Sequence, residues 1–214
     1  MIYRFIKIFF LTVFSGWFLV LDSLGQTPGD LENWNPGFVV TIDEDTIYGP
    51  IRIHFANEVV QINENNAIKT YGVNQLTLVF LKENETERER FFYTFPFHPY
   101  SDYKPSKLFE MLFSGKYLCL LGREILVTET IPVYDSFTFR TYYNTRTKLS
   151  TDFYFMFEGE KVKAFDGSRK SLLHLLSDKA DELKKFTSTN KLTLTQKEDL
   201  IKIITEYNKL KAAK

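Results

Sequence analysis

The chain has 214 residues with 27 basic and 27 acidic side chains, a balance that gives no global field to gather nucleic acid or anionic lipid and leaves only local patches. Hydrophobic residues at 44% against 25% charged exclude disorder of the whole chain, and a single cysteine excludes an intrachain disulfide. Stability must then come from a conventional core, in a chain where 16% of residues are aromatic.

Residues 1–25 read as a secretory signal. Arg4 and Lys7 form a positive start, Ile8 to Leu21 is apolar apart from Thr12, Ser15 and Gly16, and Ser23 and Gly25 place small residues before a cut ahead of Gln26. An anchor is the competing reading. The 14 residues from Ile8 to Leu21 would span ~21 Å as a helix, short of a ~30 Å hydrocarbon core, so cleavage without stable membrane insertion is expected.

From Gly37 to Asp166, short β-branched and aromatic runs alternate with Gly, Asn and Asp, the pattern of strands and hairpins. Gly37 to Ile42 and Thr46 to Ile53 flank the acidic turn Asp43, Glu44, Asp45. Val59 to Ile62 and Ala67 to Tyr71 flank a turn from Asn63 to Asn66. Leu76 to Leu81 and Arg90 to Phe95 follow, joined by a charged connection from Lys82 to Glu89. Leu108 to Phe113 and Lys116 to Leu121 surround Ser114 and Gly115. Ser136 to Tyr143 is a further predicted strand, and Phe153 to Phe157 pairs with Lys161 to Phe165.

The period changes after Gly167. Ser168 is a predicted N-cap, and Leu172, Leu173, Leu176, Ala180 and Leu183 recur at helical spacing, with a break near Ser177 and Asp178. Thr195 and Glu198 have the spacing of a capping box before a last helix whose apolar face is Leu200, Ile203, Ile204, Tyr207 and Leu210. The prediction is one α+β domain: an antiparallel β-rich body of about eight or more strands over residues 26–166, followed by a helical region, 167–214, packed on the sheet.

The run Gly37-Phe38-Val39-Val40-Thr41 followed by Asp45-Thr46-Ile47-Tyr48-Gly49-Pro50-Ile51 resembles the opening of a group of uncharacterised exported proteins of Bacteroidetes bacteria. Phe109 to Leu112 with Gly115 and Leu118 to Leu120 resembles the group's central hairpin, and Ile203, Ile204, Tyr207 and Asn208 its C-terminal helix. The resemblance implies export, an N-terminal β unit and a helical end. It brings no catalytic residues. Glu44 stands where the group usually has Gly, which predicts a different turn because positive φ is costly for a side chain. Gly49 is expected to mark a kink or bulge.

No catalytic, metal or cofactor motif emerges from the residues. His54, His98 and His174 lack ligand spacing; the span from His98 to Asp102 is short enough to bring imidazole and carboxylate together across a turn in the manner of an oriented base, but a surface turn histidine is the expected reading. Cys119, between Leu118 and Leu120, reads as a buried packing residue. Asp43 to Asp45 fails the spacing of a calcium loop, and Asp45-Thr46-Ile47 also resembles a glycosylation signal of exported Bacteroidetes proteins.

Phe91 to Tyr100 holds six aromatics in ten residues. Strand alternation puts Phe91, Tyr93 and Phe95 on one face and Phe92 on the other, while Pro96 and Pro99 end the strand. Phe97, His98 and Tyr100 are therefore the candidate binding residues, a loop platform for a protein or glycan partner. The expected function is a non-enzymatic binding or structural module of the periplasm or cell surface. The alternatives are a glycan- or small-molecule-processing enzyme with dispersed carboxylates, and an apolar-ligand carrier with an empty interior.

Overall fold

A computed structural model describes residues 33–159 and 161–213. The expected signal segment and its cleavage site lie outside the described residues. The body is a ten-stranded sheet in the order β10-β9-β8-β7-β6-β5-β1-β2-β3-β4, antiparallel at every step. The first five strands are β1 (Asn35–Thr41), β2 (Thr46–His54), β3 (Val59–Glu64), β4 (Ala67–Gly72) and β5 (Leu76–Lys82). β6 (Glu89–Pro96), β7 (Ser106–Phe113), β8 (Leu118–Asp135), β9 (Arg140–Phe157) and β10 (Lys161–Phe165) complete it. The helices α1 (Arg169–Leu175), α2 (Ala180–Thr189) and α3 (Lys197–Ala212) follow, as an α+β chain requires.

The register shows which side chains share a face. Val39 faces Val79, Val79 faces Phe92, and Ile51 and Ile53 face Ile62 and Val60. All seven are at most 1% exposed and belong to one core cluster with Phe55, Val73, Leu76, Leu81 and Leu108. A flat sheet cannot bury this face against itself. Five strand spacings separate β8 from β2, about 24 Å in a flat sheet, yet Arg123 on β8 donates to the Phe55 carbonyl just past β2 at 3.2 Å. The sheet therefore rolls over its inner face, and the natural right-handed twist of strands makes such coiling the low-energy shape.

The helices cover the same side further along. Phe92 pairs with Glu110 and Glu110 with Gly122, so Leu118 and Leu120 point inward, where they pack with Phe155, Phe165, Leu172, Leu176, Leu183, Leu200, Ile203, Ile204 and Tyr207. Asn208 on α3 closes this contact. Its Oδ1 accepts from the Tyr117 and Leu118 amides at 2.8 and 3.2 Å, and its Nδ2 donates to the Leu118 carbonyl at 3.0 Å. A side chain on Gly115 would meet Asn208 Nδ2 at 2.5 Å, so this turn needs glycine for close approach.

Several expectations are revised. The predicted strand from Ser136 to Tyr143 instead straddles a turn, because β8 and β9 are each 18 residues long and meet at residues 136–139. Glu44 adopts φ 66°, so the first hairpin keeps a positive-φ residue there despite the lack of glycine. The β1–β2 ladder runs through Gly49 without a shift. What demands glycine is the Asn63 carbonyl, 2.3 Å from where a Cβ would sit. The box of Thr195 and Glu198 does not form: Gln196 is the N-cap, and Asp199 accepts from the Thr193 amide at 2.9 Å. Ser168 does cap α1, accepting from the Ser171 amide, and the break at Ser177–Lys179 is a 3-10 turn.

Candidate binding surface

The segment from Phe91 to Tyr100 divides as strand alternation requires. Phe92 is fully buried inside the roll, and Phe91, Tyr93 and Phe95 face the outer side. That outer side carries a row of rings across four adjacent strands. Tyr48 meets Phe38 at 5.6 Å, Phe38 meets Phe80 at 5.1 Å, and Phe80 meets Phe91 at 4.9 Å. Beyond it, Phe95, Phe109, Leu121 and Tyr154 form a second small core on the same outer face.

The candidate loop residues do not share one environment. Phe97 turns back onto this outer core, edge-on to Phe109 at 5.8 Å and to Tyr154 at 5.1 Å, and is half-buried. Tyr100 is 93% exposed, and Tyr103, absent from the sequence reading, is 78% exposed. His98 is exposed, and its Nδ1 accepts from the Tyr100 amide at 3.2 Å, so the bond that orients the ring comes from the backbone of the loop. A two-ring platform of Phe97 and Tyr100 is thus divided: Phe97 fastens the loop and Tyr100 is presented by it.

A longer aromatic surface lies elsewhere. β8 and β9 pair without a shift from Leu118↔Phe157 to Asp135↔Arg140. β7 stops pairing with β8 at Gly122, and β10 stops pairing with β9 at Phe153, so the distal hairpin leaves the sheet as a two-stranded ribbon. Its apex holds Phe137 at 95% and Phe139 at 78% exposure, with Tyr134, Tyr142 and Tyr143 exposed behind them. Asp135 Oδ1 accepts from the Phe137 amide at 2.8 Å and Oδ2 from the Thr138 hydroxyl at 2.7 Å. These bonds, the Thr138 hydroxyl first, hold the Asp135 carboxyl below its ordinary range and fix the turn. The signal was present as five aromatics between Tyr134 and Tyr143, with Asp135 in position for an Asx turn.

The charged groups of the roll neutralise one another. Arg90, 3% exposed, donates Nη2 to Glu110 and Glu124 at 2.6 Å each and Nη1 to Glu83 at 3.0 Å. Arg88 also reaches Glu110, while Lys107 and Arg123 both hold Glu58. Burial pushes the Glu83 carboxyl up, but Thr86 and Arg90 outweigh it and leave the net shift downward. Burial likewise works against the Arg90 charge, and Glu110 and Glu124 raise its pKa regardless. A cleft of about 260 Å³ lies at the base of the ribbon, between Phe55, Ala56, Leu149 and residues Arg123 to Leu126.

Among the described residues, no three His, Cys, Asp or Glu side chains gather as a metal site. Cys119 is buried, its Sγ 3.3 Å from the Gly115 carbonyl, where it serves packing. No helix of the described residues is long and apolar enough to cross a membrane. Comparisons of the chain with protein-family models, with curated proteins and with solved structures return no match.

Proposed function

We propose that the protein is an exported, non-enzymatic binding module of the periplasm or cell surface, as the N-terminal signal pattern and the resemblance to exported Bacteroidetes proteins suggest. The observation that carries the non-enzymatic part is the pairing of Glu58, Glu83, Glu110 and Glu124, each engaged by an Arg or Lys. A general acid must carry its proton and a general base or nucleophile needs a free lone pair, whereas the oxygens of these carboxylates are occupied by their cation partners. Glu124 is the residue that favours the enzyme alternative, since it lines the cleft, but Arg90 holds it. The carrier alternative would need a hollow roll, and the interior is filled by Val39, Ile51, Ile62, Val79 and Phe92.

Tyr100 and His98 are the proposed contact residues for a protein or glycan partner, with Phe97 anchoring their loop. A photo-reactive amino acid at position 100, introduced in the native host, should yield a covalent adduct with a periplasmic or surface component. Tyr100→Ala with His98→Ala should abolish capture of that component, probed by a cross-linker at Tyr103, without lowering the melting temperature. Recovery of no adduct from position 100, or a double variant that unfolds, rejects this site.

A further inference from the structure

The ribbon apex places two phenylalanines where the fold makes no use of them. Phe137 and Phe139 are 95% and 78% exposed, and Phe139 sits at φ 50°, a conformation that a bulky side chain adopts at a cost and that Gly or Asn would adopt more readily. Asp135 nonetheless locks this turn through three bonds, to the Phe137 amide, the Thr138 amide and the Thr138 hydroxyl. A rigid turn with exposed rings is preorganised for an apolar medium.

The residues behind the apex are layered. Tyr134, Tyr142 and Tyr143 lie one to three strand pairs behind the last pair, Asp135↔Arg140, about 3 to 10 Å further from the tip. That depth matches the headgroup layer of a bilayer, roughly 5 to 8 Å per leaflet, where tyrosine rings concentrate. Arg140 and Arg146 have no ion-pair partner among the described residues, whereas Lys148 is held by Glu129. A second copy fits less well. Two-fold antiparallel pairing through β9 centred on Tyr143 would set Arg140 of one copy against Arg146 of the other, and pairing through β8 centred on Pro132 would set Glu129 against Asp135.

We infer that the β8–β9 ribbon is a peripheral membrane anchor: Phe137 and Phe139 enter the acyl boundary of an anionic phospholipid bilayer, the tyrosines occupy its headgroup layer, and Arg140 meets its phosphates. This is reversible interfacial binding by a hairpin tip and is independent of whether the loop at Tyr100 has a partner. The test is co-sedimentation with phosphatidylcholine vesicles, with and without phosphatidylglycerol, comparing variants that share one N-terminus with the parent chain.

Replacing both rings, Phe137→Ser with Phe139→Ser, should lower partitioning roughly a hundredfold, given two side chains that each transfer most of their apolar area. Arg140→Gln should remove about fivefold of the binding to phosphatidylglycerol vesicles and leave phosphatidylcholine binding unchanged. Phe137→Trp should blue-shift its emission on the anionic vesicles. The inference is overturned if the serine variant sediments like the parent, if the tryptophan emission does not move, or if the serine variant instead loses a dimer by light scattering or a protein cross-link formed at the tip.

Discussion

The near and far halves of the β8–β9 hairpin use the same backbone ladder for different ends. Near the sheet, Leu118, Leu120 and Phe155 are fully buried under the helices, and the strands are flanked by β7 and β10. Beyond Glu124 the same two strands continue with Thr128, Thr130, Thr145 and Thr147 exposed and no neighbour on either edge. Backbone pairing alone thus extends a hairpin, but net stability comes from burial, so the near half carries the fold and the far half is free to carry contacts.

The sharpest way to break this division is inside the near half. Ile204→Asp puts an unpaired carboxylate against Leu120 and Phe155 and should cost about 4 kcal/mol or more, enough to unfold much of the population in a urea titration. Arg90→Leu leaves the buried Glu110 and the half-buried Glu124 without their shared cation and should cost about 3 to 5 kcal/mol. Adding Glu110→Leu to it should recover part of that loss, which a double-mutant cycle would measure.

Asn208→Ala strands the Tyr117 and Leu118 amides and should cost roughly 1 to 3 kcal/mol by the same titration, while leaving the ribbon unaffected. Asp178 tests a weaker link. Burial raises its pKa, but Lys211 and Tyr207 outweigh that and lower it, so its contribution is present above the ordinary Asp value of about 3.9 and is lost as pH falls through the lower folded value. Asp178→Asn should lower the melting temperature modestly at neutral pH and converge on the parent in acid, which flattens that acid limb.

The smallest effect is predicted for the far half. Replacing residues 127–148 by an Asn-Gly turn removes the exposed aromatics and should shift the melting temperature by no more than about 2 °C, because hardly any core area is lost. A large loss would show that the ribbon folds back as a structural element and would dissolve the comparison.

The helices and most strands are legible in the residues because each carries a local period. Leu200, Ile203, Ile204 and Tyr207 announce their buried face, and Phe91 to Phe95 announces two opposite ones. The ribbon is less legible. Its residues alternate threonine and charge without a buried face, so Ser136 to Tyr143 resembles an isolated strand and the Asp135-capped turn is hidden within it.

The sequence by itself determined the class of the protein: strands first, helices last, an aromatic strand ended by Pro96 and Pro99, and a cysteine placed for packing. Tertiary structure alone decided which face of each strand became interior. The roll brings Glu58 to Arg123 and Lys107, draws three carboxylates onto Arg90 and pulls Phe97 into the outer core while leaving Tyr100 in solvent. Such contacts join residues up to 65 positions apart, and no local pattern encodes them, because the energy of a long-range pair depends on where the whole sheet curls.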